Sequence, residues 1–183
     1  MHTTILYVSG LGDQYDDVRR FCLRGWRLWG VTAKLVPMTW YDGKAFDQKY
    51  NRITSAIDGI KDNSRIVVIG ESAGATMALQ VANHPRVSRV ITLCGVARPT
   101  TPISSYFNKR APALIFATRS VPNTSDYDVH SVRAVIDGVV GKKYSTASGA
   151  NKQHTIWTVG HLFTILLCLT ILAPLMVTIA KKQ

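Results

Sequence analysis

Short apolar runs recur along the chain, separated by longer stretches in which apolar residues return every three or four positions. The runs at 4–8, 33–37, 65–69, 89–94, 113–117 and 154–159 have the length of strands. The stretches at 15–30, 46–60 and 73–83, with a piece around 129–139, read as helices. Such alternation predicts an α/β fold with a mostly parallel sheet of about six strands flanked by helices. The run Ile66-Val67-Val68-Ile69 is β-branched at every position. A strand of that kind belongs at the centre of a sheet, buried on both faces.

Two segments interrupt the alternation. Residues 97–112 carry Pro99, Pro102 and Pro112 among several Ser and Thr and read as a connecting excursion, a short cap between 96 and 112. Residues 145–151 (STASGAN) read as a polar loop. The far end differs again. Residues 162–180 hold no charge, and Lys181-Lys182 follow. As one helix these nineteen residues would measure about 28 Å, close to the apolar thickness of a bilayer. The expected division is therefore a domain over 1–161 and an apolar C-terminal helix within 162–183, which either contacts a membrane through residues 162–180 or covers the sheet. Pro174 interrupts that span, and a crossing by Lys181-Lys182 conflicts with the positive-inside tendency, so membrane contact could equally be tilted or interfacial, and an oligomer interface is the third option.

The densest chemical signal is Gly70-Glu71-Ser72-Ala73-Gly74, a G-x-S-x-G between the buried strand and a helix of small residues. Strand, tight turn and helix together make a nucleophile elbow. The turn leaves almost no room two positions before and after the serine, and glycine fills both. It lifts the hydroxyl above the sheet at a helix N-terminus, whose N–H groups can stabilise an oxyanion. Glu71 reads as a surface or helix-start charge.

On these residues the chain resembles a short member of the α/β-hydrolase superfamily over about 4–161. In that family a loop after the first core strand supplies an oxyanion donor. Here Ser9-Gly10-Leu11-Gly12-Asp13 resembles its H-G-x-G pattern, with Ser9 where histidine is usual. The resemblance implies an oxyanion hole from the N–H groups of Leu11 and Ala73. It also implies the chain order serine, acid, histidine. His161 follows the run 154–159 and Gly160 and opens the last helix, matching the family's terminal Gly-His. His2, His84, His130 and His154 lack that setting. The family places its acid in the loop after the strand expected at 113–117, where Asp126-Tyr127-Asp128-Val129 resembles a D-x-x-V sequence. Asp126 is the first choice and Asp128 the alternative, while Asp137 lies along the helix expected around 129–139.

The implied reaction is hydrolysis of an ester, thioester or related acyl bond through an acyl-enzyme on Ser72, with no metal or organic cofactor. The rival reading is a hydrolase-like, membrane-associated interaction protein without catalysis. A dinucleotide-binding domain is excluded, because no phosphate-binding glycine fingerprint follows the first run.

Composition adjusts this picture in three ways. Cys22, Cys94 and Cys168 are odd in number and far apart, so reduced thiols are expected and zinc or disulfides are not. Charge is uneven: ten Lys/Arg against eight Asp/Glu up to Glu71, then twelve against three beyond it. The basic second half favours anionic surfaces such as phospholipid headgroups or acidic substrates. No nucleic-acid module is present, so a small or lipid-like acyl substrate is the expected partner and nucleic acid is not. The N-terminus lacks a basic n-region ahead of its first apolar run, which predicts a cytoplasmic-side protein, associated with membrane if the tail attaches it.

Overall fold

The computed structural model describes residues 2–61, 63–100 and 110–182. The excursion and cap expected between 96 and 112 lie largely outside them. Among the described residues the strands are β1 (Thr3–Val8), β2 (Val31–Val36), β3 (Arg65–Glu71), β4 (Val87–Leu93), β5 (Val129–Ile136) and β6 (Lys152–Val159). The helices are α1 (Asp16–Gly25), α2 (Phe46–Asp58), α3 (Gly74–Gln80), α4 (Pro112–Arg119), α5 (His161–Leu169) and α6 (Ala173–Lys181). All neighbouring strands pair in parallel, in the order β2-β1-β3-β4-β5-β6.

Because side chains alternate across a strand, one sheet feeds two cores. Leu6, Val8, Val68 and Val90 pack with Ile53 and Ile57 of α2, Met77 of α3 and Leu114 of α4. Ile5, Tyr7, Val67 and Ile69 pack on the opposite face with Leu23 of α1, Ile165 of α5 and Met176 of α6. The β-branched run of β3 lies between β1 and β4 and is fully buried, as its composition predicts.

Two expected elements exchange identity. Residues 113–117, expected as a strand, belong to α4, where Pro112 occupies the first turn and its missing N–H costs nothing. Residues around 129–139, expected as a helix, form β5, paired with β4 and β6.

The C-terminal segment is also corrected. It is two helices bent by 73°, not one span, and among the described residues no single helix is long and apolar enough to cross a membrane. The break follows from Pro174, which has no N–H to extend α5 and instead sits in the first turn of α6. Ile165, Cys168 and Leu169 of α5 and Met176, Val177 and Ala180 of α6 enter the second core, and the indole N–H of Trp26 donates to the Leu169 carbonyl.

Candidate active site

Parallel strands bring all their carboxyl ends to one edge of the sheet, and the site forms there. Ser72 follows β3 directly. Its φ is +49°, a left-handed value that a non-glycine residue holds only under constraint. The constraint is steric. A Cβ on Gly74 would lie 2.4 Å from the Val8 carbonyl oxygen, one on Gly70 2.6 Å from Ala75 Cα, and one on Gly95 2.1 Å from Ala75 Cβ. The Ser72 N–H donates to Leu93 O, and its own carbonyl accepts from Ala75 and Val96 N–H, which ties the turn to the end of β4.

His161 reaches the same edge from the far side. Gly160, at φ +102°, turns the chain between β6 and α5, and its N–H donates to Ile136 O at the end of β5. The imidazole Nε2 lies 2.9 Å from Ser72 Oγ. Its Nδ1 lies 2.8 and 3.0 Å from the two carboxylate oxygens of Asp137. A proton on Nδ1 donated to Asp137 leaves Nε2 free to accept from the serine hydroxyl.

The carboxylate beside His161 is thus Asp137, and neither Asp126 nor Asp128. Both precede β5 and so lie at the amino-end edge of the sheet, about one strand length away, or about 25 Å. Asp128 instead pairs with Arg89 at 2.6 Å and with His130 at 3.1 Å. Asp137 directly follows β5, at the carboxyl end. Its Oδ1 accepts the N–H groups of Val139 (3.0 Å) and Val140 (2.7 Å). Burial pushes the Asp137 pKa up, but the His161 hydrogen bond and these two amides outweigh it and hold the carboxyl below its ordinary value. The signal for this residue was present: a strand-length segment closing on Val135-Ile136 and followed by Asp137-Gly138, an acid at a strand end ahead of a turn.

Glu71 departs from the sequence reading as well. It is buried, not a surface charge, and its carboxylate accepts the Tyr7 hydroxyl, the Gly10 N–H and the Arg19 guanidinium. Ser9 is equally absorbed: its Oγ accepts the Met38 N–H and its carbonyl the Trp40 indole N–H. Leu11 and Ala73 both face the cavity above Ser72, and among the described residues their N–H groups donate to no other group. That cavity, of about 320 Å³, is walled by Leu11, Val96, Leu114, Val139, Val140 and Tyr144, with no charged side chain among the described lining. Cys94 lies beneath the site, its thiol pushed far up by burial and by the nearby Asp137 charge, so it stays protonated. Among the described residues no cluster of three His, Cys, Asp or Glu could hold a metal ion.

No protein-family model matches the sequence, and no curated protein sequence does. Solved structures match in shape. A pyrethroid hydrolase, PytH, superposes with a TM-score of 0.73 at 10% identity, over 100% of this chain and 98% of its own. Est1E from Butyrivibrio proteoclasticus gives 0.64 at 14% identity, over 96% and 89%. A protein of Xanthomonas campestris pv. campestris, described as a hydrolase of the alpha/beta superfamily, gives 0.64 at 14%, over 98% and 97%. At identities this low the likeness speaks for the architecture, and that architecture is the α/β-hydrolase fold.

Proposed function

We propose that the protein is a serine hydrolase acting on esters or related acyl bonds, with Ser72 as nucleophile, His161 as general base and Asp137 as the carboxylate that orients it. The observation that carries this is the hydrogen-bonded chain from Ser72 Oγ through both ring nitrogens to Asp137, with steps of 2.9 and 2.8 Å. Ser72 Oγ attacks the acyl carbon as its proton passes to Nε2. The oxyanion accepts from the Leu11 and Ala73 N–H groups. The leaving alcohol then takes the proton from Nε2, and water repeats the sequence to release the acid. The names of the structural neighbours, which include esterases, lipases and pyrethroid hydrolases, support an ester as the bond cleaved. The apolar cavity supports an uncharged substrate group, and its volume lies at the small end for ligand pockets.

A fluorophosphonate probe tests this reading. Wild type is expected to label at Ser72, whereas Ser72→Ala and His161→Ala, checked for folding, lose labelling and p-nitrophenyl ester hydrolysis together. Equal labelling of wild type and Ser72→Ala removes the nucleophile. A folded wild type that neither labels nor hydrolyses is what the non-catalytic rival predicts.

The surface beside the site supports a substrate class. Leu162, Phe163 and Leu166 of α5, with Ile171 and Leu175 beyond the bend, expose apolar side chains while the opposite faces of these helices enter the core. This supports contact with a lipid surface through one side of 162–180, lying in the interface, and a lipid-like ester as substrate. Wild type should co-sediment with anionic vesicles and Leu162→Ser/Phe163→Ser/Leu166→Ser should not. Equal sedimentation of the two ends this reading.

A further inference from the structure

Arg19, on α1, is buried and does not touch the reacting groups, yet its guanidinium is fully engaged around the loop 9–13. Nε donates to Glu71 Oε1 at 2.8 Å, and Nη2 donates to the same carboxylate and to the Leu11 carbonyl at 3.2 Å. Nη1 donates to the Gly12 carbonyl at 2.8 Å and to Asp16 at 2.9 Å. Glu71, gripped in this way, accepts the Gly10 N–H at 3.1 Å and the Tyr7 hydroxyl at 2.6 Å.

Three consecutive peptide groups matter here. The one joining Ser9 to Gly10 is held by its N–H, to Glu71. The one joining Leu11 to Gly12 is held by its carbonyl, to Arg19. The peptide between them carries the Leu11 N–H. Holding both neighbours keeps the two flanking Cα atoms in place, so the middle peptide retains only a flip about the line joining them. That flip would carry Leu11, a non-glycine residue now at negative φ, into the disfavoured positive range. Burying an arginine with two carboxylates is costly, and well-packed apolar side chains of similar volume are often at least as stabilising. What apolar packing would lack is a set of donors and acceptors matched to this loop.

We propose that Arg19 is a positioning residue: clamped on Glu71, it locks the loop 9–13 with the Leu11 N–H aimed at the oxyanion. The role rests on the hydrolase reading above. A preorganised donor acts where charge develops, so its loss lowers kcat more than it weakens substrate binding.

The test compares an aryl acetate with the matching aryl thionoacetate, whose C=S sulfur is a poor hydrogen-bond acceptor and draws little from amide donors. Arg19→Lys keeps the charge beside Glu71 but has three donors for four partners. Its oxoester kcat should fall about 100-fold, with KM changed less than about threefold and thionoester kcat less than about threefold. The ratio of oxoester to thionoester rates therefore collapses, which a general loss of folded protein would not cause. If the lysine variant does not fold, Arg19→Gln, a planar donor without the charge, is read in the same way. Equal falls on both substrates, or an unchanged oxoester rate, overturn the role. A wild type inert to both substrates and to the fluorophosphonate overturns the hydrolase reading itself, and the role with it.

Discussion

The serine elbow and the Asp137 turn meet at His161 but are held by different forces. Around Ser72 the constraint is repulsive: Gly70, Gly74 and Gly95 sit where a single added carbon would collide with backbone or with Ala75. Around Asp137 it is attractive: two amides and an imidazole converge on one carboxylate, on a turn whose Val139 is 71% exposed. The elbow is therefore intolerant of added volume, while at the Asp137 turn the fold tolerates side-chain change and the site depends on the charge. Rigidity at an active site has two sources, and they fail under different substitutions.

Exchanging the perturbations tests that contrast. The largest effect is expected at the acid. Asp137→Asn should leave the fold intact and lower ester-hydrolysis kcat by about 10³–10⁴-fold, because the amide favours the wrong imidazole tautomer. Asp126→Asn, at the opposite edge of the sheet, should stay within about twofold in the same assay. A reversed ranking would return the acid to the earlier segment.

Gly74→Ala should act through stability. A Cβ at 2.4 Å from Val8 O and 2.7 Å from Ser9 O forces the backbone apart, at a cost of about 1–3 kcal/mol or more. Val139→Ala on the exposed acid turn should cost no more than about 0.5 kcal/mol. Urea unfolding midpoints measure both, and equal midpoints for the two variants would erase the distinction.

A separate effect, away from the site, belongs to the far edge, where Asp128 serves the fold. His130 beside it is lowered from 6.5 to about 4, by burial first and by the Arg89 charge second, against the pull of Asp128. The unfolded chain then binds the proton first as pH falls, so this contribution is complete above about 6.5 and is lost on acidification towards 4. Thermal melts should show Tm falling across that window, less steeply in His130→Asn. Identical slopes would remove His130 from the balance.

Legibility in the sequence follows the same division. Steric demands are written as residue identity, so Gly70, Ser72 and Gly74 announced the elbow, and the β-branched run announced the strand beneath it. The acid is written as position relative to a strand, and it inherits every error in that strand. Residues 113–117 are a short apolar run that periodicity alone cannot assign; Pro112 ahead of them was the helix signal. Reading them as the strand before the acid leads to Asp126 or Asp128, whereas the carboxylate that meets His161 lies one element later. With β5 at Val129–Ile136, the same rule arrives at Asp137. Glu71 was misread for a related reason. Its partners Arg19 and Tyr7 are 52 and 64 residues away, and no local pattern marks a buried charge whose neighbours come from other elements.

The turn after β5 has a second consequence. Val139 and Val140 give their amides to Asp137 and also wall the cavity. Substitutions that reshape this wall for a new substrate therefore act on the backbone that holds Asp137, and under the proposed mechanism selectivity traded there is traded against turnover. The side formed by Leu114 of α4 carries no such linkage, whereas the Val96 N–H is bonded to the Ser72 carbonyl. Directed evolution towards larger substrates should accumulate its tolerated changes on the Leu114 side.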